Sequence, residues 1–290
     1  MRSKCSGIAV GIAVLFSLVT GCAGPNLWTD GTSVSTGKTN RGRTRHPAKL
    51  ALKGRGFVVP KRWRERGFQY GVDELVAAVQ RAAEKVRGRS ARVKLGVADF
   101  SPKRGGRSTW HASHQSGRDV DLIFYTADEK GRPLAPAPED MIHFDDEGVA
   151  YEKPKQPYVD ASWSTRRFDT ARNWKLIESL LSDPTIRLQW VFVSDGLKQR
   201  LLAYANKVKR PAWVVAYARV VLRQPGDAPP HDDHFHVRIY CNRGDRMYGC
   251  VDRGVVWHHE KKSFKYAGLE HYDPVMWRLM TGLPTLLSPG

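Results

Sequence analysis

The chain has 290 residues, of which 41% are hydrophobic and 26% are charged. This length and apolar content are enough to bury a core, and they suit one domain with a tail and long loops. The formal net charge is +18, which favours an acidic partner such as nucleic acid, anionic lipid or a carboxylate-rich bacterial wall. Charge alone does not choose among these partners, and an ordinary basic surface is equally compatible with it.

The N-terminal segment has the proportions of a secretion signal. Arg2 and Lys4 give a basic start, and the apolar run at 8–19 is shorter than the about 20 residues that a membrane span needs. The run ends in Val-Thr-Gly-Cys at 19–22, which resembles the bacterial lipobox. We therefore expect 1–21 to be a lipoprotein-type signal peptide and Cys22 to become the acylated first residue. A plain secretory signal followed by a chance cysteine is the alternative.

Export sets expectations for the destination of the chain and for its cysteines. Ala23 is no known retention signal, so we expect a periplasmic protein anchored through its lipid to a membrane, the outer one in a bacterium with two. No later stretch is long and apolar enough to cross a bilayer, so the rest of the chain is expected to be soluble. Cys241 and Cys250 then remain, and an oxidising compartment favours one disulfide between them over two free thiols.

The composition changes along the chain and suggests its organisation. Residues 22–49 are rich in Gly, Thr, Ser, Arg and Lys and are predicted to be a flexible tether, although 35–43 could instead pack along the domain. Residues 50–290 are predicted to form the domain. Its segment 127–163 is rich in Pro, Asp, Glu and Lys and is predicted to be a long loop, a feature that is usually functional or disordered.

Hydrophobic periodicity predicts the regular elements of the domain. Helical spacing of apolar residues predicts helices at 72–86, after residue 169 and at 196–207. The pattern at 212–223 is ambiguous, and we favour a helix there. Alternating or short apolar runs predict strands at 93–100, 119–125, 188–193 and 234–240. Helices and strands are interspersed without steady βαβ alternation. The sequence therefore predicts an α+β fold, with a small central antiparallel sheet of about four strands flanked by helices and long loops.

Two segments concentrate the chemistry, because they hold five of the ten histidines. The first begins at His111 and reads His-Ala-Ser-His-Gln-Ser-Gly-Arg-Asp-Val-Asp. The second begins at His231 and reads His-Asp-Asp-His-Phe-His-Val-Arg. Both segments run into predicted strands, so their side chains should alternate between the two faces of a sheet.

Alternation places the polar side chains of each strand on one face. His234 and His236 share a face, with Phe235 on the other, and Asp119 and Asp121 likewise share a face. The apolar face needs a core, which leaves two imidazoles side by side with carboxylates nearby. Such a pair can hold a metal, or one imidazole can bind metal while the other moves protons. A carboxylate and imidazoles suit zinc, which in catalytic sites usually has three protein ligands and a water molecule.

The two segments resemble a known family of zinc peptidases. His-x6-Asp at His114 and Asp121, followed by His-x-His at His234 and His236, is the pattern of the lysostaphin-type and D-Ala-D-Ala-type metallopeptidases. The surrounding residues, His-Ala-Ser-His-Gln-x-Gly-x-Asp-Val-Asp and His-x-x-His-x-His-Val-Arg, look like those of the penicillin-insensitive murein endopeptidases. The likeness extends from about residue 35 to Cys241 and covers little of the last fifty residues.

This resemblance implies a role for each matching residue. His114, Asp121 and His236 would bind one zinc ion. His234 would be the nearby base or transition-state stabiliser, and His231 would be a second catalytic imidazole. The chain would then be a zinc-dependent murein endopeptidase that cuts D-alanyl–diaminopimelate cross-links in peptidoglycan, because zinc lowers the pKa of bound water and polarises the scissile carbonyl.

Three further residues are candidates for support of the reaction. Arg118 could bind a substrate carboxylate with two hydrogen bonds, or it could only brace its loop. Asp232 could orient an imidazole, or it could be a solvated loop acid. Gln115, in the same motif as Arg118, is a candidate of the same kind.

Other functions use parts of the same pattern. A non-catalytic wall-binding lipoprotein could carry a structural metal, although structural zinc sites favour four protein ligands and cysteine, and alternation turns Cys241 to the other face. A D,D-carboxypeptidase is a second alternative, but the Glu-x-x-His or Glu-x-x-Trp-His element of that group is absent from the sequence. An exported nuclease would suit the charge, yet phosphate chemistry more often uses Mg²⁺ held by carboxylates, so no nucleic-acid partner is expected.

The lipid anchor can be tested directly. Replacement of the acylated thiol, Cys22→Ala, should move the protein from the membrane fraction to the soluble fraction or to the unprocessed precursor. Fractionation and immunoblotting measure this distribution. Membrane attachment of a correctly processed Cys22→Ala chain would contradict lipidation.

Overall fold

The structure is a computed structural model that describes residues 31–153, residues 160–257 and residue 260. The predicted signal at 1–21 and Cys22 lie outside the described residues, as does most of the chain after Trp257. Within the described part, no helix is long and apolar enough to cross a membrane.

The described regular elements are short strands and six helices, with one 3-10 helix. In chain order the strands are β1 Val34–Lys38, β2 Arg41–Arg45, β3 Ala48–Lys49, β4 Lys53–Gly54, β5 Phe57–Val58, β6 Tyr70–Gly71, β7 Leu95–Val97, β8 Asp119–Ile123, β9 Thr126–Ala127, β10 Pro133–Leu134, β11 His143–Phe144, β12 Ala150–Tyr151, β13 Arg167–Phe168, β14 Leu188–Phe192, β15 Leu222–Arg223 and β16 His234–Ile239. The helices are α1 Lys61–Arg66, α2 Asp73–Arg87, α3 Thr170–Leu181, α4 Asp195–Lys207, α5 Ala212–Val221 and α6 Arg243–Met247, and the 3-10 helix is Ala161–Thr165.

The predicted α+β fold is confirmed. Its central sheet is mixed and has seven strands, instead of the predicted antiparallel sheet of about four. Its order is β15-β14-β16-β8-β7-β5-β4. The four predicted strands are β14, β16, β8 and β7, which are neighbours in this order and pair antiparallel. Strands β15, β5 and β4 extend the sheet at its two edges, and each has only two residues, too few to show a periodic pattern.

The two faces of the central strands are chemically different. On β16, Phe235, Val237 and Ile239 are at most 1% exposed and belong to the hydrophobic core. The same core contains apolar residues of α2, α3, α4 and α5, so these helices cover one face of the sheet. The opposite face of β16 and β8 carries the histidines and aspartates. The predicted alternation therefore holds, and it turns the polar residues away from the helices.

The tether predicted at 22–49 is wrong for its second half. Strands β1 and β2 form an antiparallel hairpin that packs on the domain. Ser33 N donates to Asp73 Oδ2 at 2.7 Å, and Ser35 N donates to Asp245 Oδ2 at 3.0 Å. The alternative that 35–43 packs along the domain is the observed one. The segment joins the fold through backbone hydrogen bonds and buried hydroxyls rather than apolar side chains, so its composition resembles that of a linker.

The long loop predicted at 127–163 contains regular structure in its described part. Strand β9 pairs with β10 and β13, and β11 pairs with β12. These strands have two residues each, so the segment is a series of small hairpins instead of an irregular loop.

The predicted disulfide is present and joins Cys241, which follows β16, to Cys250 after α6. Both cysteines are buried, at 0% and 5% exposure. The bond closes a short loop beside the strand that carries His234 and His236, and so it fixes the path of the chain after the site.

Removal of this disulfide should destabilise the protein. The double substitution Cys241→Ser with Cys250→Ser should lower the free energy of unfolding by roughly 2–3 kcal/mol, because the unfolded chain regains loop entropy. Urea denaturation of the two proteins measures this difference. Reductant should lower the stability of the wild type and leave the double variant unchanged, and identical midpoints for all samples would contradict the expectation.

Candidate metal centre and substrate groove

The site begins where β8 and β16 pair. Asp121 lies opposite His236 in the antiparallel register, and both side chains are on the face away from the helices. Asp121 is 3% exposed and His236 is 6% exposed. Their register follows from the apolar alternation of the two strands, because a shift by one residue would turn both groups into the core.

His114 reaches the same point from the loop before β8. It is fully buried and has φ of 60°, a left-handed conformation that is uncommon outside glycine. Its Nδ1 contacts the carbonyl oxygen of Phe100 at 2.5 Å, and since a carbonyl only accepts, Nδ1 carries the proton. The other ring nitrogen, Nε2, is therefore unprotonated in the neutral ring and presents a lone pair to the site.

His236 is held in the complementary tautomer. Its Nε2 donates to Asp119 Oδ1 at 3.0 Å, and Arg238 Nε donates to the same oxygen at 2.6 Å. Burial raises the pKa of Asp119, but the charge of Arg238 and the hydrogen bond from His236 outweigh burial and hold that pKa well below its usual range. Asp119 is thus an ionised acceptor, and Nδ1 of His236 presents its lone pair to the site.

Three electron-pair donors converge as a result. His114 Nε2 lies 3.2 Å from His236 Nδ1 and 3.3 Å from Asp121 Oδ1, and His236 Nδ1 lies 3.1 Å from Asp121 Oδ1. Asp121 Oδ1 is buried and has no hydrogen-bond donor within the described residues. Lone pairs at such distances repel one another unless a cation or a proton lies between them. The arrangement can therefore hold a metal ion.

His111 belongs to this cluster although sequence reasoning assigned it no role. His111, His114 and Asp121 can each offer one ligand atom, and these atoms lie within 4.8 Å of one another. His111 Nε2 is 2.8 Å from Asp99 Oδ2, which leaves Nδ1 facing Asp121 Oδ2 at 3.8 Å. The spacing His111-x-x-His114 is the sequence feature that could have indicated a role for His111, because it puts two imidazoles on one short loop.

His234 lies beside the cluster but is oriented differently. Its Nδ1 is 2.6 Å from Asp233 Oδ1, and its Nε2 is 3.6 Å from Asp121 Oδ1. Burial lowers the pKa of His234, but the charges of Asp233 and Asp121 outweigh burial and raise it to about 9. Asp233 thus fixes the ring and turns Nε2 toward the carboxylate of Asp121.

His231 lies in the loop before β16 and has the opposite electrostatic setting. Its ring centre is 5.2 Å from that of His234 and 6.1 Å from that of His236. Burial, together with the positive charge of His234, lowers the pKa of His231 to about 4. Its Nδ1 is buried without a hydrogen-bond partner in the described structure. His231 is therefore neutral at pH 7, next to a more basic imidazole.

These groups lie in an open groove of about 720 Å³. Beyond the histidines and Asp121, the groove is lined by aromatic and cationic side chains, among them Trp110, Trp190, Phe192, Arg223, Arg238 and Arg253. The loop 225–229 forms part of its rim. A cluster that can hold a metal at the wall of an open groove has access to a large substrate.

Comparison with known proteins agrees with this geometry. The family model described as penicillin-insensitive murein endopeptidase matches residues 35–260, a range that contains both histidine segments. The chain belongs to the penicillin-insensitive murein endopeptidase family. The matched range begins within β1, in agreement with the ordered hairpin and not with a tether that runs to residue 49.

Curated members of the family are distant relatives in sequence. The penicillin-insensitive murein endopeptidase of Haemophilus influenzae is 25% identical over 225 residues, which cover 73% of this chain and 69% of the relative. The Klebsiella pneumoniae protein of the same name is 26% identical over 218 residues, 74% of this chain and 69% of its own length. The Pectobacterium atrosepticum protein is 28% identical over 215 residues, with coverage of 73% and 66%.

The structure brings together His114, Asp121, His236, His234 and His231, the residues that the family resemblance singled out. Arg118 is different, and its predicted role in substrate binding is wrong. Its side chain is fully buried.

Arg118 acts instead as an internal clamp. Its guanidinium donates to Asp252 Oδ1 at 2.8 Å, to the carbonyls of Ile239 and Val251 and to the hydroxyl of Ser35. These partners are all far from Arg118 in the sequence, so no local pattern around Arg118 could reveal them. Arg118 ties the loop that precedes β8 to the end of β16.

Gln115 and Asp232 also point away from the predicted metal ligands. Gln115 Nε2 donates to the carbonyl of Ala112 at 3.2 Å and so braces the loop between His111 and His114. Asp232 accepts from His143 at 2.7 Å, from Lys153 at 3.0 Å and from Tyr151.

His143, Asp232 and Asp233 also have the spacing of a metal site. Lys153 and Tyr151 already fill the oxygens of Asp232, so this group is an ion-paired network that fastens the β11–β12 hairpin to the loop before β16. Asp233 belongs to both sets, because its Oδ2 lies 3.8 Å from His143 while its Oδ1 holds His234.

Metal content should distinguish the two groups of residues. His236→Ala should lose the bound divalent metal, because it removes one of three converging lone pairs. His234→Ala should retain about one metal ion per chain, since its ring is held by Asp233 outside the triangle. His143→Ala is the matched control and should also keep the metal.

Elemental analysis after dialysis measures these contents, with circular dichroism as the check on folding. The assignment would be reversed if His234→Ala emptied the site while His236→Ala kept its metal. Metal loss from His143→Ala alone would place the centre in the other group.

Proposed function

We propose that this protein is an exported, zinc-dependent endopeptidase that hydrolyses D-alanyl–diaminopimelate cross-links in murein. Membership of the murein endopeptidase family supports the substrate and the reaction class. The observation that carries the chemistry is the buried, donor-free Asp121 Oδ1, which faces two imidazole lone pairs at the wall of an open groove.

The distances among the three donors support zinc as the metal. Zinc bound to nitrogen and oxygen at about 2.0–2.2 Å in a tetrahedron separates its ligands by roughly 3.3–3.6 Å. The three observed separations, 3.1, 3.2 and 3.3 Å, lie at or just below the lower end of this range. His114, Asp121 and His236 would hold the ion, and His111 would lie next to them. The ion would supply a Lewis acid beside the scissile carbonyl and would acidify a water molecule there.

Side chains of the protein would carry out the proton transfers of the reaction. His234 Nε2 faces the cluster while Nδ1 is committed to Asp233, so Nε2 is the atom that would hold or release a proton near the reacting carbonyl. His231 stands on the groove side of His234, where its ring can donate to the developing oxyanion or accept a proton. Asp119 and the carbonyl of Phe100 keep His236 and His114 in the tautomers that ligation needs.

The anchor and the destination belong to the same proposal. A lipid on Cys22 would hold the enzyme at a membrane facing the wall, and the strands from β1 onward would place the domain close to that anchor. The high net positive charge suits a carboxylate-rich polymer.

The activity is tested with purified cross-linked muropeptides. The full chain should convert a dimeric muropeptide into monomers, as identified by mass spectrometry. A chelator should stop this conversion and added zinc should restore it. Penicillin should leave it unchanged, because penicillin acylates a serine nucleophile and this site has none in the proposed role. Inhibition by penicillin, or release of only a terminal D-alanine, would reject the endopeptidase mechanism.

A pair of histidine variants tests the proton-transfer role. His234→Ala should reduce turnover by on the order of 10²–10⁴ while the metal remains bound. The control is His46→Asn, which changes an exposed histidine whose φ is 44°, a conformation that asparagine tolerates. His46→Asn should keep wild-type turnover. Full activity of a metal-loaded His234→Ala protein would contradict the role.

A further inference from the structure

The groove continues from the metal cluster along β14. Phe192 pairs with His236 in the antiparallel register, and Trp190 pairs with Arg238. The ring of Phe192 is 5.2 Å from the ring of His236, and the ring of Trp190 is 5.8 Å from that of Phe192. An aromatic floor therefore leads from a proposed metal ligand to Trp190, two residues away along β14.

Arg223 stands on one side of Trp190. It is the last residue of edge strand β15, where it pairs with Phe192. Its neighbour Leu222 is fully buried in the core, so alternation turns Arg223 to the groove face. The Arg223 guanidinium carbon lies 5.5 Å from the centre of the Trp190 ring, a cation–π contact that holds the head group over the floor.

Arg253 approaches Trp190 from the segment after the disulfide. Gln189 Nε2 donates to the carbonyl of Arg253 at 2.9 Å and so fixes the backbone there. Gly254, the next residue, lies beside the indole nitrogen of Trp190. Arg223 and Arg253 both line the groove, although they are 30 residues apart in the chain.

Neither arginine is neutralised in the part of the chain that the structure describes. Arg223 and Arg253 are exposed, and no carboxylate oxygen lies within 4.0 Å of either guanidinium there. Arg238 in the same groove is different, because its Nε is committed to Asp119 at 2.6 Å. Two guanidinium groups without a salt bridge in the described residues, one of them over the Trp190 ring, favour a ligand with a planar anion, and a carboxylate matches their donor geometry.

We propose that Arg223, Arg253 and Trp190 form a subsite for a free carboxylate on the murein peptide. The inference rests on the proposed function and specifies the substrate further. Trp190 lies about 7 Å along the strand from Phe192. An extended peptide advances roughly 3.5 Å per residue, so Trp190 lies about two residues from Phe192. The arginine side chains are long enough to reach back over part of this distance, so the carboxylate can belong to a residue at the scissile bond or next to it.

The chemistry of the proposed cross-link contains such a group. A diaminopimelate residue that is acylated through its side-chain amine keeps a free carboxylate on the carbon that carries the acylated nitrogen. That carboxylate is next to the bond to be cut. The subsite would therefore select cross-links in which this carboxylate is free over those in which it is amidated.

Two matched substrates test the subsite. Both are dimeric muropeptides of identical sequence, and they differ only in whether the carboxylate beside the scissile amide is free or amidated. The wild-type chain should cleave the free form with a kcat/KM roughly tenfold or more above that of the amidated form, mainly through a lower KM. Arg223→Gln and Arg253→Gln should each reduce this ratio, and the double variant should bring it close to one.

Arg89→Gln is the matched control, because Arg89 is exposed and lies in the turn after α2, where it does not line the groove. It removes the same charge and should keep the wild-type ratio. Equal loss of preference in Arg89→Gln would show that net charge, and not the subsite, sets the ratio, and so would overturn the inference.

The remaining outcomes separate this inference from the proposed function. If the wild type cleaves both substrates equally well, or if the double variant keeps the wild-type ratio, the carboxylate subsite is wrong while the endopeptidase activity stands. If the metal-loaded wild type cleaves neither substrate, the proposed function is rejected and the inference with it. Thermal melting of each variant confirms that the exposed substitutions leave the fold intact.

Discussion

The carboxylate of Asp121 is buried between two imidazoles whose unprotonated nitrogens both face it. An isolated buried carboxylate costs on the order of several kcal/mol, and adjacent lone pairs add to that cost. Asp121 Oδ1 nevertheless lies within 3.3 Å of His114 and His236 and accepts no hydrogen bond from the described residues. A cation at this point would remove both penalties. The tautomers set by Phe100 and Asp119, and the left-handed conformation of His114, all serve to keep these atoms converged.

Two features of the fold keep these atoms together. They are the alternation of side chains along the strands and the buried hydrogen bonds between distant segments. The apolar residues of β8 and β16 pack on the helices, so their aspartates and histidines must face the groove. The loop that carries His114 has no such constraint of its own. It is held by Arg118, whose guanidinium joins it to the end of β16, to the hairpin β1–β2 and to Asp252 near the disulfide. Segments from both ends of the described chain thus stabilise the one loop that carries His114.

The same arrangement connects catalysis to substrate choice. Strand β14 lies next to β16 on the side away from β8, so its groove-facing residues extend the site in one direction. Aromatic rings form the floor of the groove, and cationic side chains of β15 and of the segment after Cys250 line it. The other side of the site is supported by the ion-paired network of His143 and Asp232, which reaches the cluster through Asp233 and His234. One sheet face would therefore hold the proposed metal, the proposed proton-transfer groups and the peptide.

The amino-acid sequence by itself determined the parts of the protein that rest on local pattern. The period-two alternation in β8 and β16 identified the strands and the polar face, and the helical spacing in α2, α3 and α4 located helices of the core. The His-x6-Asp and His-x-His spacings located the residues that meet at the site. Alternation along a strand places residues at such spacings on one face of the sheet. Predicted export left Cys241 and Cys250 as the remaining cysteines, and an oxidising compartment indicated the disulfide that the structure contains.

Tertiary structure decided the features that depend on distant partners. The hairpin β1–β2 has the composition of a linker. It packs on the domain through hydrogen bonds to distant groups, among them the carboxylates of Asp73 and Asp245, which accept from the backbone of Ser33 and Ser35. Arg118 looked like a substrate ligand until four distant groups surrounded it. Arg223 and Arg253 carry no motif. Only the folding of β15 and the segment after the disulfide toward Trp190 puts these two cations beside the site, without a salt bridge to any of the described residues. Charge and hydrogen-bonding capacity are properties of a residue, but whether they are satisfied internally or offered to a substrate depends on which distant segments fold against it.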